Sequence, residues 1–300
     1  MRFSIYQASR QGGRDYNQDR VAYSYSRDAL LMVVADGMGG HSHGELAAQI
    51  TVQTLAETFQ RHARPKLNDP AAFLHGALER AHHAINDHAN THHLAEIPHT
   101  TCVACVLQED AAWWAHVGDS RLYLYSDHGL VTRTRDHSTV QQLCDEGFIT
   151  QDEMKTHPDR NKIYNCLGGH MQPEVEVSRP MPLSDHDTIL LCTDGLWGAL
   201  TEEQIAATLR AFPLERAIEF LMDHAELRAG HAGDNLSAVA MTWGTLGEAG
   251  SQSVSTLTMP VNTFTTKMDD FPALPTDLAE DEVERAIAEI QDAIKKYSGK

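Results

Sequence analysis

The sequence predicts an α+β fold with helices packed outside sheets. Strand-like apolar runs occur in blocks, and helix-period runs form separate blocks between them. With 42% hydrophobic residues in 300, the chain can bury a sizeable core. A single domain of about 240 residues is within the range of β-rich sandwiches.

The elements follow in order. Strands are expected at 3–8, 21–25 and 29–35. Helix Gly44–His62 sets Leu46, Ile50, Leu55 and Phe59 near one face, and a helix over 70–93 does so with Phe73, Leu74, Ala77, Leu78, Ala81 and Ile85. Strands resume at 101–107, Ala111–Val117 and 122–126, then at 188–193 and Leu236–Trp243, with helices over 201–211 and 214–228 between the last two. Residues 136–167 are polar and helix-forming, with little to bury.

Beyond Trp243 the composition turns to Gly, Ser and Thr, so 245–274 reads as a flexible linker following a domain of residues 1–244. A helix is expected over 275–300. Thr276 and Asp277 offer its cap, Lys295 and Lys296 sit in its last turn, and Val283, Ile287, Ile290, Ile294 and Tyr297 form a narrow apolar stripe. Such a stripe either folds back on the preceding domain or serves docking or self-association.

Lys plus Arg number 24 against 42 Asp plus Glu, a net charge of −18, which argues against nucleic acid and favours cations. No apolar stretch nears the roughly 20 residues of a membrane span, and the start Met1-Arg2-Phe3-Ser4 lacks a signal peptide's apolar region. A cytoplasmic protein with no membrane partner is expected. The five cysteines, an odd number, argue against a disulfide framework. Cys102 and Cys105 lie in a strand where residues three apart face opposite ways, so they read as buried thiols.

The chemistry lies in four aspartates. Leu30-Leu31-Met32-Val33-Val34-Ala35 stops on Asp36-Gly37-Met38-Gly39-Gly40-His41; Gly118-Asp119-Ser120-Arg121 follows one apolar run, Thr193-Asp194-Gly195 ends another, and Gly233-Asp234-Asn235 opens the last. Each alone fits an ordinary turn. Together they collect negative charge that would repel itself without cations, and oxygen ligands without a thiolate favour Mn²⁺ or Mg²⁺.

These residues also carry a resemblance. Arg14-Asp15-Tyr16-Asn17-Gln18-Asp19, Asp36-Gly37-Met38-Gly39-Gly40-His41, Thr100-Thr101, Val117-Gly118-Asp119-Ser120-Arg121, Asp136-His137-Ser138, Thr193-Asp194-Gly195-Leu196 and Gly233-Asp234-Asn235 resemble, in order and spacing, the bacterial metal-dependent protein serine/threonine phosphatases (type 2C, the PPM family) over about residues 1–243. The resemblance implies two antiparallel sheets sandwiched between helix layers (α-β-β-α), with 136–167 as a flap. It implies hydrolysis of phosphoserine and phosphothreonine by a metal-bridging hydroxide, two or three Mn²⁺ or Mg²⁺ ions, phosphoprotein substrates and a cognate Ser/Thr kinase.

By the same resemblance Asp36 bridges two ions, Gly37 lends its carbonyl, and Asp194 and Asp234 complete the pair. Asp119 with Asp194 matches a third position, and Asp19 joins the metal set through ion-bound waters, with Asn235. Asn161 matches a stretch close to an additional ion, beside the reading of a surface loop. Arg14 is the expected phosphate clamp, since a planar guanidinium grips two phosphate oxygens. Gln18 stands where many members carry Glu. His41 is a candidate general acid; animal relatives place a histidine where this chain has Met38, so the role stays open.

Two other functional readings stand beside this one. One is an inactive relative serving as a binding or regulatory module, against which the complete aspartate set counts. The other is a dizinc hydrolase, suggested by His41-Ser42-His43-Gly44-Glu45, although Glu45 also suits the first turn of the next helix. His82, His83, His88, His92 and His93 read as a solvated helix face, and no phosphate-binding glycine loop supports nucleotide binding.

Overall fold

The computed structural model describes residues 1–38, 43–244, 254–255 and 264–267. Three strands, β1 (Arg2–Arg10), β2 (Asp19–Tyr25) and β3 (Ala29–Met38), lead into two long helices, α1 (Gly44–His62) and α2 (Pro70–Thr91). Strands β4 (His99–Thr100), β5 (Cys102–Gln108), β6 (Ala111–Val117), β7 (Arg121–Ser126) and β8 (Gly129–Arg133) follow. Short helices α3 (Thr139–Asp145) and α4 (Gln151–Met154) precede β9 (Glu176–Val177), β10 (Met181–Pro182) and β11 (Thr188–Cys192). Helices α5 (Asp194–Trp197), α6 (Glu202–Ala211) and α7 (Leu214–Ala229) come before β12 (Leu236–Trp243), and β13 (Val254–Ser255) and β14 (Phe264–Lys267) end the described chain.

The strands form two antiparallel sheets, ordered β13-β1-β12-β11-β7-β8 and β10-β6-β5-β3-β2-β14. Three apolar cores fill the gaps between four layers. Leu31, Val33 and Ala35 of β3 pack on Leu55 and Phe59 of α1 and Leu74 and Leu78 of α2. On the other face of β3, Leu30, Met32 and Val34 meet Ile189 and Leu191 of β11 and Val239 and Met241 of β12 between the sheets. Leu190 of β11 and Ala238 and Ala240 of β12 turn outward to Ile205 of α6 and Ile218 and Leu221 of α7. Period-two alternation thus serves two cores from each central strand, which is why these strands read as continuous apolar runs. Cys102 and Cys105 fall in different cores, as opposite faces of β5 require.

Local signals start the helices. Asp69 caps α2 by accepting the Ala72 N–H at 3.0 Å, with Pro70 in the first turn. Thr201 and Gln204 form a reciprocal capping box on α6. In 136–167, α3 buries only Val140 and Gln141 and α4 buries nothing. The segment is closed at its base, where Thr139 N–H donates to Lys162 O at 2.9 Å and Tyr164 N–H to His137 O at 3.1 Å.

Several expectations are corrected. Strand β3 runs on to Met38 because β4 pairs with its end, Thr100 opposite Gly37 and His99 opposite Met38. Strand β8 is unforeseen: it lies at a sheet edge with Leu130 and Val131 exposed, so it lacks a buried alternating face. The span expected as a linker contributes two strands, β13 beside Arg2 and Phe3 and β14 beside Val21 to Ser24. His82 is buried, its Nδ1 accepting the Gly168 N–H at 3.1 Å, and is no part of a solvated face. The helix expected over 275–300, the rest of the linker and His41 lie outside the described residues.

Candidate active site

One end of the sandwich changes character. On β2 the residues facing the other sheet are Val21, Tyr23 and Tyr25, and on β3 they are Leu30, Met32 and Val34. The next steps of the same stripes are Asp19 and Asp36, paired with each other across the β2–β3 ladder. Opposite them, the stripes of β11 and β12 continue into Thr193, Ser237 and Asn235. The interior thus turns from apolar to polar within two residues of each strand. Asp119 follows β6, Asp194 follows β11 and Asp234 precedes β12, so antiparallel pairing delivers all five aspartates to this end.

The backbone around Asp36 is held from β4 and β5. Thr101 N–H and Thr100 Oγ1 both donate to Asp36 O at 2.8 Å, and Asp36 N–H donates to Thr101 Oγ1 at 3.3 Å. Gly37 is packed so closely that an added Cβ would stand 2.2 Å from Gly44 O. Only glycine lets α1 begin there.

Asp19 is buried, and its Oδ2 accepts the Thr193 hydroxyl at 2.8 Å. Burial pushes its carboxyl up to about 7, against hydrogen bonds from Thr193 and Ser237, with Asp194 and Asp234 pushing the same way. Burial also lifts Asp194 to about 6, helped by Asp234 and opposed by Arg14. Asp36 and Asp119 rise well above the usual carboxylate range, first through burial and then through the surrounding carboxylates, with Asp194 acting on both.

These features fit divalent cations. Asp19 Oδ1 and Asp194 Oδ1 are buried without a hydrogen-bond partner, and the mutual repulsion of the set is what a cation relieves. The donors are all oxygen; the nearby Cys192 thiol is buried and pushed further from ionisation, so it offers no thiolate. Hard ions suit such a set.

Other sequence candidates sit differently. Arg14 forks onto Asp234, Nε to Oδ1 at 2.9 Å and Nη2 to Oδ2 at 2.7 Å, so the expected phosphate clamp and an expected metal ligand meet each other. The loop after β1 reaches that point through Gly13 N–H, which donates to Gly233 O at 3.0 Å. Asn235, expected to act on ion-bound waters, is engaged with this loop: its Oδ1 accepts the Gln18 N–H at 2.9 Å, and its Nδ2 donates to Gln11 O and Tyr16 O at 2.7 and 2.9 Å. The Gln18 carbonyl accepts the Gly37 N–H at 3.2 Å, which gives Gln18 a backbone role. Asn161 is exposed in a turn.

Sequence reasoning quoted Arg121, Asp136 and His137 only as motif letters, and it passed over Trp197. Arg121 forks onto Asp136 at 2.7 Å on both oxygens, and its guanidinium lies 3.5 Å from the centroid of the Trp197 ring. A tryptophan three residues after the aspartate of Thr193-Asp194-Gly195 was the available signal. His116, His137 and Glu176 bring possible ligand atoms within 4.8 Å of one another. The two rings, however, stack with centroids 4.5 Å apart and 26° between planes. An imidazole lone pair lies in its ring plane, and near-parallel planes cannot converge on one ion. The contact is a packing one.

Comparison with known proteins gives one consistent result. The family profile described as Protein phosphatase 2C matches residues 7–232. The serine/threonine phosphatase stp of Listeria monocytogenes is 30% identical over 200 residues, 66% of this chain and 79% of that one. The phosphatase PstP of Mycobacterium tuberculosis is 35% identical over 227 residues, 75% of this chain and 42% of that longer one. Among solved structures, the catalytic domain of PstP in complex with two manganese ions superposes with a TM-score of 0.69 at 31% identity, covering 80% of this chain and 98% of that one.

Proposed function

The chain belongs to the protein phosphatase 2C family and is a metal-dependent protein serine/threonine phosphatase; from that premise we propose how its residues divide the work. Asp36, the Gly37 carbonyl, Asp194 and Asp234 hold a pair of Mn²⁺ or Mg²⁺ ions, Asp119 with Asp194 holds a third, and Asp19 supports the pair. The buried, unpartnered oxygens of Asp19 and Asp194 among five converging aspartates carry this reading. Such ions, when bound, supply Lewis acidity toward phosphoryl oxygen and make water acidic enough to attack phosphorus.

The protein's own groups do the rest. Arg14 exchanges the Asp234 carboxylate for two oxygens of the phosphate monoester and orients the phosphorus. Thr100 and Thr101 fix the Asp36 backbone so that the carboxylate keeps its aim. His41 is the proposed donor of a proton to the leaving alkoxide. The substrates are phosphoserine and phosphothreonine proteins, with a Ser/Thr kinase as the opposing activity and the segment 275–300 as a docking or self-association element. A cytoplasmic setting is supported by five free thiols, the state of a reducing compartment.

Hydrolysis of p-nitrophenyl phosphate and of a phosphothreonine peptide, after chelation and with Mn²⁺ restored, tests the assignment. Asp36→Asn and Asp194→Asn should each remove nearly all Mn²⁺-dependent turnover, because each takes a charged ligand from the pair. Activity within a few-fold of wild type for either would sink it.

A further inference from the structure

We propose that Trp197 is a positioning residue that sets Asp119 against Asp194, and so governs the third cation site; the inference rests on the assignment of those two aspartates to one ion. Trp197 shares a four-residue helix with Asp194, which opens it. Its indole Nε1–H donates to Asp119 O at 3.0 Å. One side chain therefore ties the backbone of one ligand to the helical turn that carries the other.

Trp197 is itself held. The Arg121 guanidinium lies 3.5 Å from the centroid of its ring. Arg121 is buried and immobile, with both Asp136 oxygens at 2.7 Å and its Nη1 donating to Tyr123 Oη at 3.0 Å. The next residue along, His137, grips the turn before Asp119 from the other side. Its N–H donates to Gly118 O at 3.0 Å, and its ring Nδ1 accepts the Gly118 N–H at 3.2 Å. Gly118 has φ +100, and an added Cβ would stand 2.6 Å from Thr101 Cγ2, so the turn has one conformation to adopt.

These contacts enclose the peptides flanking Asp119 and leave its carboxylate facing Asp194, which contributes to raising it. Small hard cations tolerate little error in ligand spacing, and hydrogen-bonded groups behind a ligand typically change metal affinity by about 10- to 100-fold. The indole N–H is such a group for Asp119, and it acts from the turn that begins with Asp194.

The test is a Mn²⁺ titration of the chelated full-length chain, followed by the electron paramagnetic resonance signal of free Mn²⁺. Asp119→Asn identifies the step that belongs to the shared ion. Trp197→Phe keeps a ring over Arg121 and removes only the N–H; it should weaken that same step about tenfold, leave the tighter steps in place, and raise the Mn²⁺ midpoint for aryl phosphate hydrolysis. Should Trp197→Phe melt early in chelator, Arg121→Lys, which loses the fork to Asp136 and the flat face under the indole, should show the same selective weakening. A titration that Asp119→Asn leaves intact overturns the proposal, as does one in which the folded positioning variant changes no step or weakens every step alike. If wild type binds Mn²⁺ but hydrolyses no phosphate ester, the phosphatase assignment fails, while the titrations still decide the role of Trp197.

Discussion

Arg14 is held by nothing but Asp234 and the solvent-facing loop around it, which makes it the most separable residue of the site. Arg14→Ala leaves the carboxylates in place and removes the fork that would hold the phosphate. KM for a phosphomonoester should rise about tenfold or more, the usual size of a lost charge-assisted contact, with a smaller change in kcat. Steady-state kinetics at saturating Mn²⁺ would show it, and an unchanged KM would mean that Arg14 is no clamp. The aspartates themselves were legible in the sequence because an apolar stripe ending on an acid is visible without coordinates. The roles of Thr193, Asn235 and Trp197 were not, because each depends on which residue of another strand or loop arrives opposite it.

Among elements, helices proved more readable than strands. The bounds of α1 came out as expected from its periodic apolar face, and capping residues marked the starts of α2 and α6. Strand β8 was missed because an edge strand need not alternate, and the extension of β3 was missed because it is made by β4, sixty residues on. That extension matters for function, since it turns Asp36 and Gly37 from a loop into a fixed strand end. Gly37→Ala should therefore damage the site without touching a carboxylate. Its Cβ would meet backbone at 2.2 Å, so β3 and α1 must part. A loss of about 1–3 kcal/mol in stability, as for other overpacked positions, should accompany a large loss of turnover. Denaturant melts and Mn²⁺-dependent hydrolysis on the same preparation would check both; full activity would show that the Gly37 carbonyl does not matter.

At the scale of the molecule, the site is a store of electrostatic strain. Asp19 and Asp194 start from 3.8 and are pushed up to about 7 and about 6 in the fold. The folded chain therefore holds more protons than the unfolded chain between those limits, and stability falls as pH rises through that window, with the penalty complete above about pH 7. In chelator, Tm should be higher near about pH 5 than near about pH 8, and Mn²⁺ should restore most of the difference at the higher pH by binding only the folded site. Scanning calorimetry with and without Mn²⁺ would test this, and a chelated Tm that climbs over that range would contradict it. The excess of acid over base in the composition, 42 against 24, hinted at such a surface but could not locate it. What located it was the meeting of two sheets, a property of the assembled sandwich.

Strands β13 and β14 have a further consequence, for they cover the outer rims of β1 and β2, one in each sheet. A bare rim is a row of unpaired N–H and C=O groups that accepts a strand from any other chain, including another copy of the same one. A protein ending at residue 244 should still hydrolyse a small aryl phosphate, since every proposed ligand lies at or before Asp234. It should also acquire concentration-dependent self-association, visible by light scattering, that a protein ending at residue 267 does not show. Equal scattering from the two would mean that these strands guard nothing. The segment after the last core strand, unremarkable in composition, would otherwise act as a selvedge, the finished border that keeps a woven sheet from joining its neighbour.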